Sequence, residues 1–157
     1  MAMAHVFVSG HSPLPAQRHW NIATDLKRLP QWHTGVVETR DVIATPGQLG
    51  TTATLMLKGP DRVHEVHVEV VESDEPHLWK NVGHEVGGGM SYTSISRYTP
   101  TPDGGCDWEW EQEIDPPKGL IGAFADRLFL QRYIERQMQQ SAENLGALTE
   151  AEALQPA

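Results

Sequence analysis

The sequence is short of most features that would classify it quickly. It holds a single cysteine, Cys106, which excludes an internal disulfide and with it the disulfide-dense scaffolds of small secreted proteins. No apolar run approaches the ~20 residues that a membrane-spanning helix needs. The opening segment, MAMAHVFVSG, has no basic stretch followed by an apolar one, so no signal peptide is expected. Positive charge is scarce as well: 12 Lys and Arg stand against 21 Asp and Glu, a formal net charge of −9. Such a surface repels phosphate backbones and anionic lipid on average, which argues against nucleic acid as a partner and against membrane insertion. Internal repeats are missing. These absences lead to the expectation of a soluble, cytoplasmic protein.

What is present suits one globular domain. A chain of 157 residues, 39% hydrophobic and 21% charged, can bury roughly 70% of the surface its unfolded form exposes. The firmest local signal is CDWEWEQEID, residues 106–115. Its unbroken period of two places Cys106, Trp108, Trp110, Gln112 and Ile114 on one side of a strand, with Asp107, Glu109, Glu111 and Glu113 on the other. Two indoles and an amide on the sheltered side suit either a filled core or the wall of a cavity.

The same pattern predicts a first strand over His5–Ser12 and later ones over Val36–Ala44, Thr51–Lys58, Val63–Ser73, Leu78–Val82 and Met90–Tyr98. The intervening TPGQLG, KGPD, SDEP, GHEVGGG and TPTPDGG are rich in turn residues and too short for crossovers, so the strands follow one another antiparallel. SPLPAQRHWNIATDL reads as a helix with Pro15 in its first turn and an apolar stripe of Ala16, Trp20, Ala23 and Leu26. A short helical turn follows, ending at Gly35. From Leu120 to about Leu148 runs a long helix whose stripe is Ile121, Phe124, Leu128, Ile134, Met138, Leu145 and Leu148, interrupted by Gln131. The expected fold is α+β: about seven antiparallel strands, strongly curved around a long C-terminal helix, with two short helices after the first strand. The domain is expected to span residues 1–148, and 149–157 to be a disordered tail.

Three stretches carry a resemblance to the START-like, helix-grip (SRPBCC) superfamily, which includes polyketide cyclase/dehydrase-type proteins and the major birch pollen allergen. They are DLKRLPQWHTGV at 25–36, VHVEVVESDEPHLWKN at 66–81 and GLIGAFADRLFLQRYIERQMQQSAENL at 119–145. The resemblance implies a deep cavity between sheet and long helix that holds a hydrophobic or aromatic small molecule; it implies no cofactor. One position departs from it: His19 stands where the family usually places an aliphatic residue on the inner side of the first helix. Its role, like that of His33, is unassigned.

Strand phasing then selects candidates. Trp108, Trp110 and Gln112 point inward beside the closing helix, and Met90, Tyr92, Ser94, Ser96 and Tyr98 share one face of the preceding strand. A mixed face of aromatics and hydroxyls suits a cavity wall. Phe124 and Leu128 complete the expected ligand-binding set from the helix. His64 falls in phase with Val66, Val68 and Val70, so an inward imidazole is the candidate general acid or base, with Tyr92 as a second catalytic candidate. Against that role stands the plain reading of a core-edge histidine, since no carboxylate can be placed beside it. His64 and His67, three apart on a strand, face opposite ways and cannot share a metal. Arg97 is expected to pair with Glu109 and Glu111 on the outer face. Cys106 lacks any neighbour that would make it a nucleophile.

Three function classes follow. The preferred one is a domain that binds a hydrophobic or aromatic small molecule, as a carrier or sensor of lipid-like ligands. An enzyme of the polyketide cyclase, aromatase or dehydratase type would use the same cavity. A protein-interaction domain with a collapsed cavity is the third.

Overall fold

Alternation in the sequence becomes alternation of burial. In the computed structural model, which describes residues 4–115 and 127–156, the segment 106–115 is a strand that buries Cys106, Trp108, Trp110, Gln112 and Ile114. The full order is β1 (Ala4–Ser12), α1 (Ala16–Ala23), a 3-10 turn (Leu26–Arg28) and α2 (Leu29–Trp32). Then come β2 (Val36–Ile43), β3 (Thr52–Lys58), β4 (Val63–Asp74), β5 (Leu78–Glu85), β6 (Ser91–Pro100), β7 (Cys106–Asp115) and α3 (Arg127–Ala153).

All seven strands form one curled antiparallel sheet ordered β1-β7-β6-β5-β4-β3-β2. From β2 to β7 each strand pairs with its successor, as short turns require, and β1 closes on β7. The expected helix-grip α+β architecture is therefore the observed one. No helix among the described residues is long and apolar enough to cross a membrane.

Pro15 precedes α1, which buries Ala16, His19, Trp20, Ile22 and Ala23. Asp25 caps the following turn, its carboxylate accepting from the Lys27 N–H at 3.1 Å. Helix α3 buries Leu130, Ile134, Met138, Ser141, Leu145 and Thr149, a stripe at steps of three and four. Two expectations for this helix need correction. Leu128 is 57% exposed: it lies two residues before Leu130, roughly 200° around the helix from the buried stripe. The tail expected to be disordered from 149 is helical as far as Ala153. Thr149 is buried there, and Arg28 and Arg18 donate to the Glu152 carboxylate and carbonyl at 3.0 and 2.8 Å. Phe124, Ile121 and the expected start of the helix lie outside the described residues.

Gln131, an interruption in the apolar stripe, proves to be a docking residue. Its side chain accepts from the His5 N–H at 3.0 Å and donates to the His5 carbonyl at 2.8 Å. It thus pairs the backbone of β1 where that edge strand would otherwise face water.

Candidate functional site

The inner surface of the sheet is set by register. Across β5, β6, β7 and β1, Trp79 lies opposite Ser96, Ser96 opposite Trp110 and Trp110 opposite Val8. The next rows are Asn81, Ser94, Gln112, Val6 and then Gly83, Tyr92, Ile114, Ala4. On the other side, Tyr98 faces Trp108, which faces Gly10. Two glycines make room for rings here. A Cβ on Gly83 would sit 2.1 Å from Tyr92 Cε2, and one on Gly10 would sit 2.6 Å from Trp108 Cζ2. Both rings lie flat across a neighbouring strand because that strand has no side chain at the crossing.

Above these rows, between the sheet, α1, α2 and α3, the side chains leave a hollow. It gives the centres of water molecules about 90 Å³ of room, several times the ~10–15 Å³ that one water needs. Trp108, Trp110, Gln112, Met90, Tyr92 and Tyr98, all expected as ligand-binding residues, line it and all are buried. Leu128 does not line it. From α3 the wall is made by Leu130, Tyr133, Ile134 and Leu145 instead. Trp79 and Asn81 of β5 also belong to the lining; the alternation of β5 carries that signal, which is fainter than the aromatic patterns of β6 and β7.

Some polar groups of the wall are satisfied within it. The Trp110 indole donates to Ser94 Oγ at 2.9 Å, and the Tyr92 hydroxyl donates to Asn81 Oδ1 at 2.9 Å. Burial pushes the Tyr92 and Tyr98 phenols up, so both stay protonated. Others are not. Both ring nitrogens of His19 and the indole nitrogens of Trp32 and Trp79 are buried without a hydrogen-bond partner. Each such group costs on the order of 1–3 kcal/mol. Thr39 Oγ1 is the one other group in that condition among the described residues, and the remaining three side chains all line the hollow. His19 stacks on Trp108, with centroids 6.4 Å apart and planes at 16°. Desolvation lowers its pKa to about 4. His33 is likewise held at about 4 by desolvation. It is half-buried, packs edge-on against Trp110 and accepts the Gly35 N–H on Nδ1 at 3.0 Å.

At the margin of the hollow His64 is 1% exposed, and here a carboxylate does stand beside it, contrary to the sequence reading. His64 Nδ1 lies 2.9 Å from Glu85 Oε2, and Nε2 lies 3.0 Å from Asp61 Oδ1. Glu85 also pairs with Arg62 at 2.8 Å and accepts the Met90 N–H at 3.0 Å. Burial works to raise the Glu85 pKa, but the Met90 N–H, His64 and Arg62 outweigh it and hold the value below the ordinary one. Sequence reasoning missed Glu85 because it ended β5 at Val82. The strand runs three residues further, to Glu85, and β4 meets it with Val66 opposite Glu85. His67 faces outward, and the Arg97–Glu111 pair expected on the outer face is present at 3.9 Å. Burial pushes the Cys106 thiol up to about 11, far from a nucleophile's range.

Sequence comparison matches residues 3–150 to the family described as polyketide cyclase / dehydrase and lipid transport. The chain belongs to that family. No curated protein matches it. Among solved structures, a START superfamily protein from Mycobacterium smegmatis superposes with a TM-score of 0.73 at 11% identity, over 94% of this chain and 97% of that one. A conserved protein from Geobacillus kaustophilus gives 0.73 at 13%, over 94% and 95%. Ara h 8.0201 gives 0.63 at 9%, over 94% and 97%. At such identities the likeness speaks for the fold. Within this polyketide cyclase/dehydrase-family chain, the lining residues whose buried nitrogens have no partner are His19 and Trp32 from the helices and Trp79 from β5, and the His64 cluster lies at the margin.

Proposed function

We propose that the chain binds a hydrophobic or aromatic small molecule in the hollow between the sheet and α3. The observation that carries this reading is the unfilled space left beside Trp108 and Trp110, despite four indoles, three phenols and a methionine packed around it. Dense interiors leave few voids larger than a water, and apolar walls with a few convergent polar groups suit small-molecule binding. Family and fold support a hydrophobic-ligand domain of the START type. A cytoplasmic location, where the unpaired Cys106 stays reduced, belongs to the same proposal.

The test is saturable quenching of tryptophan fluorescence by a panel of small aromatic compounds. Leu57, half-buried in the wall, offers a control: Leu57→Trp should fill the hollow and weaken binding at least tenfold while the protein stays folded. A flat response in the wild-type protein would instead favour a protein-interaction domain.

A catalytic reading, in the manner of a polyketide cyclase or dehydratase, has one observation in its favour: the imidazole of His64 between two carboxylates. Both ring nitrogens are engaged by them, however, and the Tyr92 hydroxyl is engaged by Asn81. Neither candidate presents an unoccupied acid or base to the hollow, so binding is the better supported function. His64→Ala that leaves ligand affinity within twofold but abolishes turnover of an oxygenated polycycle would reverse that preference.

A further inference from the structure

We infer that His19, Trp32 and Trp79 form a donor set that selects an uncharged, flat ligand bearing carbonyl oxygen, over the hydrocarbon of the same shape and over a carboxylate. The inference rests on the binding reading above and names the chemistry of its ligand.

Elsewhere on this wall Trp110 is paired with Ser94 and Tyr92 with Asn81, and the Gln112 amide also lines the hollow. The three unpaired side chains share the same hollow. None of their nitrogens is open to solvent, so water does not stand in for the missing partner. An indole only donates, and a neutral imidazole donates from one nitrogen. What is lacking is therefore chiefly acceptor atoms, for three donors, beside one donor for the second His19 nitrogen, and a hydrocarbon has neither.

Their placement suits a single occupant. His19 lies against Trp108, and Trp32 meets Trp110 edge-on at 5.9 Å. Trp108 and Trp110 are two residues apart on β7, roughly 7 Å. Trp79 stands two strands from Trp110 in the same row, roughly 10 Å away. In this arrangement the nitrogens are closed to the hollow as well as to bulk water, so each ring has to turn about its Cβ–Cγ bond before its N–H meets an occupant of that span. Charge points the same way. Among the described lining residues the permanent cation is Lys58, which is exposed. A carboxylate buried away from Lys58 would have no counter-ion among the described lining residues, and its desolvation would go uncompensated there.

Equilibrium dialysis at pH 7 with fluorene, 9-fluorenone and fluorene-9-carboxylate tests this, because the first two differ by one carbonyl. Wild-type protein should hold fluorenone at least tenfold more tightly than fluorene, and the carboxylate more weakly than fluorenone. His19→Leu should bring the ketone and the hydrocarbon within threefold, and His19→Gln, which keeps a donor, should retain part of the preference. Thermal melting monitors folding, and Trp79→Phe, which removes the indole N–H and part of the ring but keeps an aromatic face there, gives a second reading should His19→Leu not fold. Equal wild-type affinity for fluorene and fluorenone, or a preference untouched by both His19→Leu and Trp79→Phe, overturns the donor set and leaves the cavity reading standing. Failure of the wild-type protein to bind any of the three compounds overturns the cavity reading itself.

Discussion

The His19 imidazole is neutral because burial between Tyr98 and Trp108 penalises its charged form, which lowers its pKa from 6.5 to about 4. In the unfolded chain the ring regains its ordinary value. Between the two values the unfolded chain binds a proton that the folded chain refuses, so stability falls as pH drops from 6.5 to about 4 and levels off below that. The full shift corresponds to roughly 3 kcal/mol. Urea unfolding at about pH 7 and about pH 4.5 should show this loss in the wild-type protein. His19→Leu should lose roughly 2–3 kcal/mol less over that interval, because the titrating group is gone. His33 shifts in the same direction, so some acid sensitivity must remain in the variant. An unchanged pH dependence would mean that His19 is solvated in solution. The sequence already marks position 19 as anomalous, since an imidazole replaces an expected aliphatic side chain there. Its missing hydrogen bonds could not be read, because they depend on β6 and β7 surrounding it from another part of the chain.

At the scale of elements, the pair β5–β6 shows what a period-two pattern can and cannot convey. The inward set Tyr92, Ser94, Ser96 and Tyr98 follows from alternation alone, and all four side chains are buried. Why Tyr92 fits does not follow from β6: it depends on Gly83 across the ladder, where a Cβ would strike the ring. Gly83→Ala should therefore lower stability by about 1–3 kcal/mol through overpacking, seen as a reduced melting temperature. In a Tyr92→Ala background the same substitution should be nearly neutral, giving a double-mutant cycle with strong coupling. Additive effects would show that the glycine serves the backbone of β5 rather than the ring. The His64 site has a similar origin. Inward phase was legible from Val66, Val68 and Val70, whereas its carboxylates come from the far end of β5 and from the β3–β4 turn. Partner choice of that kind is a matter of strand length and register, which turn composition around GHEVGGG left open.

At the scale of the whole molecule, α3 performs two separable tasks. The curled sheet and its covering helix were legible because consecutive strands with short turns leave one apolar face to cover, and one long periodic segment remains to cover it. The phase of that helix was less so: Gln131 breaks the apolar series, and only its bonds to the edge of β1 explain why a polar residue sits beside Leu130. Along the helix as observed, Met138 is fully buried in the core but does not border the hollow, whereas Ile134 borders it. Met138→Ala should cost about 2–5 kcal/mol as a new cavity opens in a packed region, with ligand affinity changed less than threefold. Ile134→Ala enlarges an existing space, so its stability cost should be the smaller of the two, while affinity for small aromatic ligands shifts at least fivefold. Chemical denaturation and fluorescence titration on the same two variants measure both effects. If Met138→Ala disturbs binding as much as Ile134→Ala does, the hollow extends past its described walls and α3 holds fold and ligand with one continuous surface.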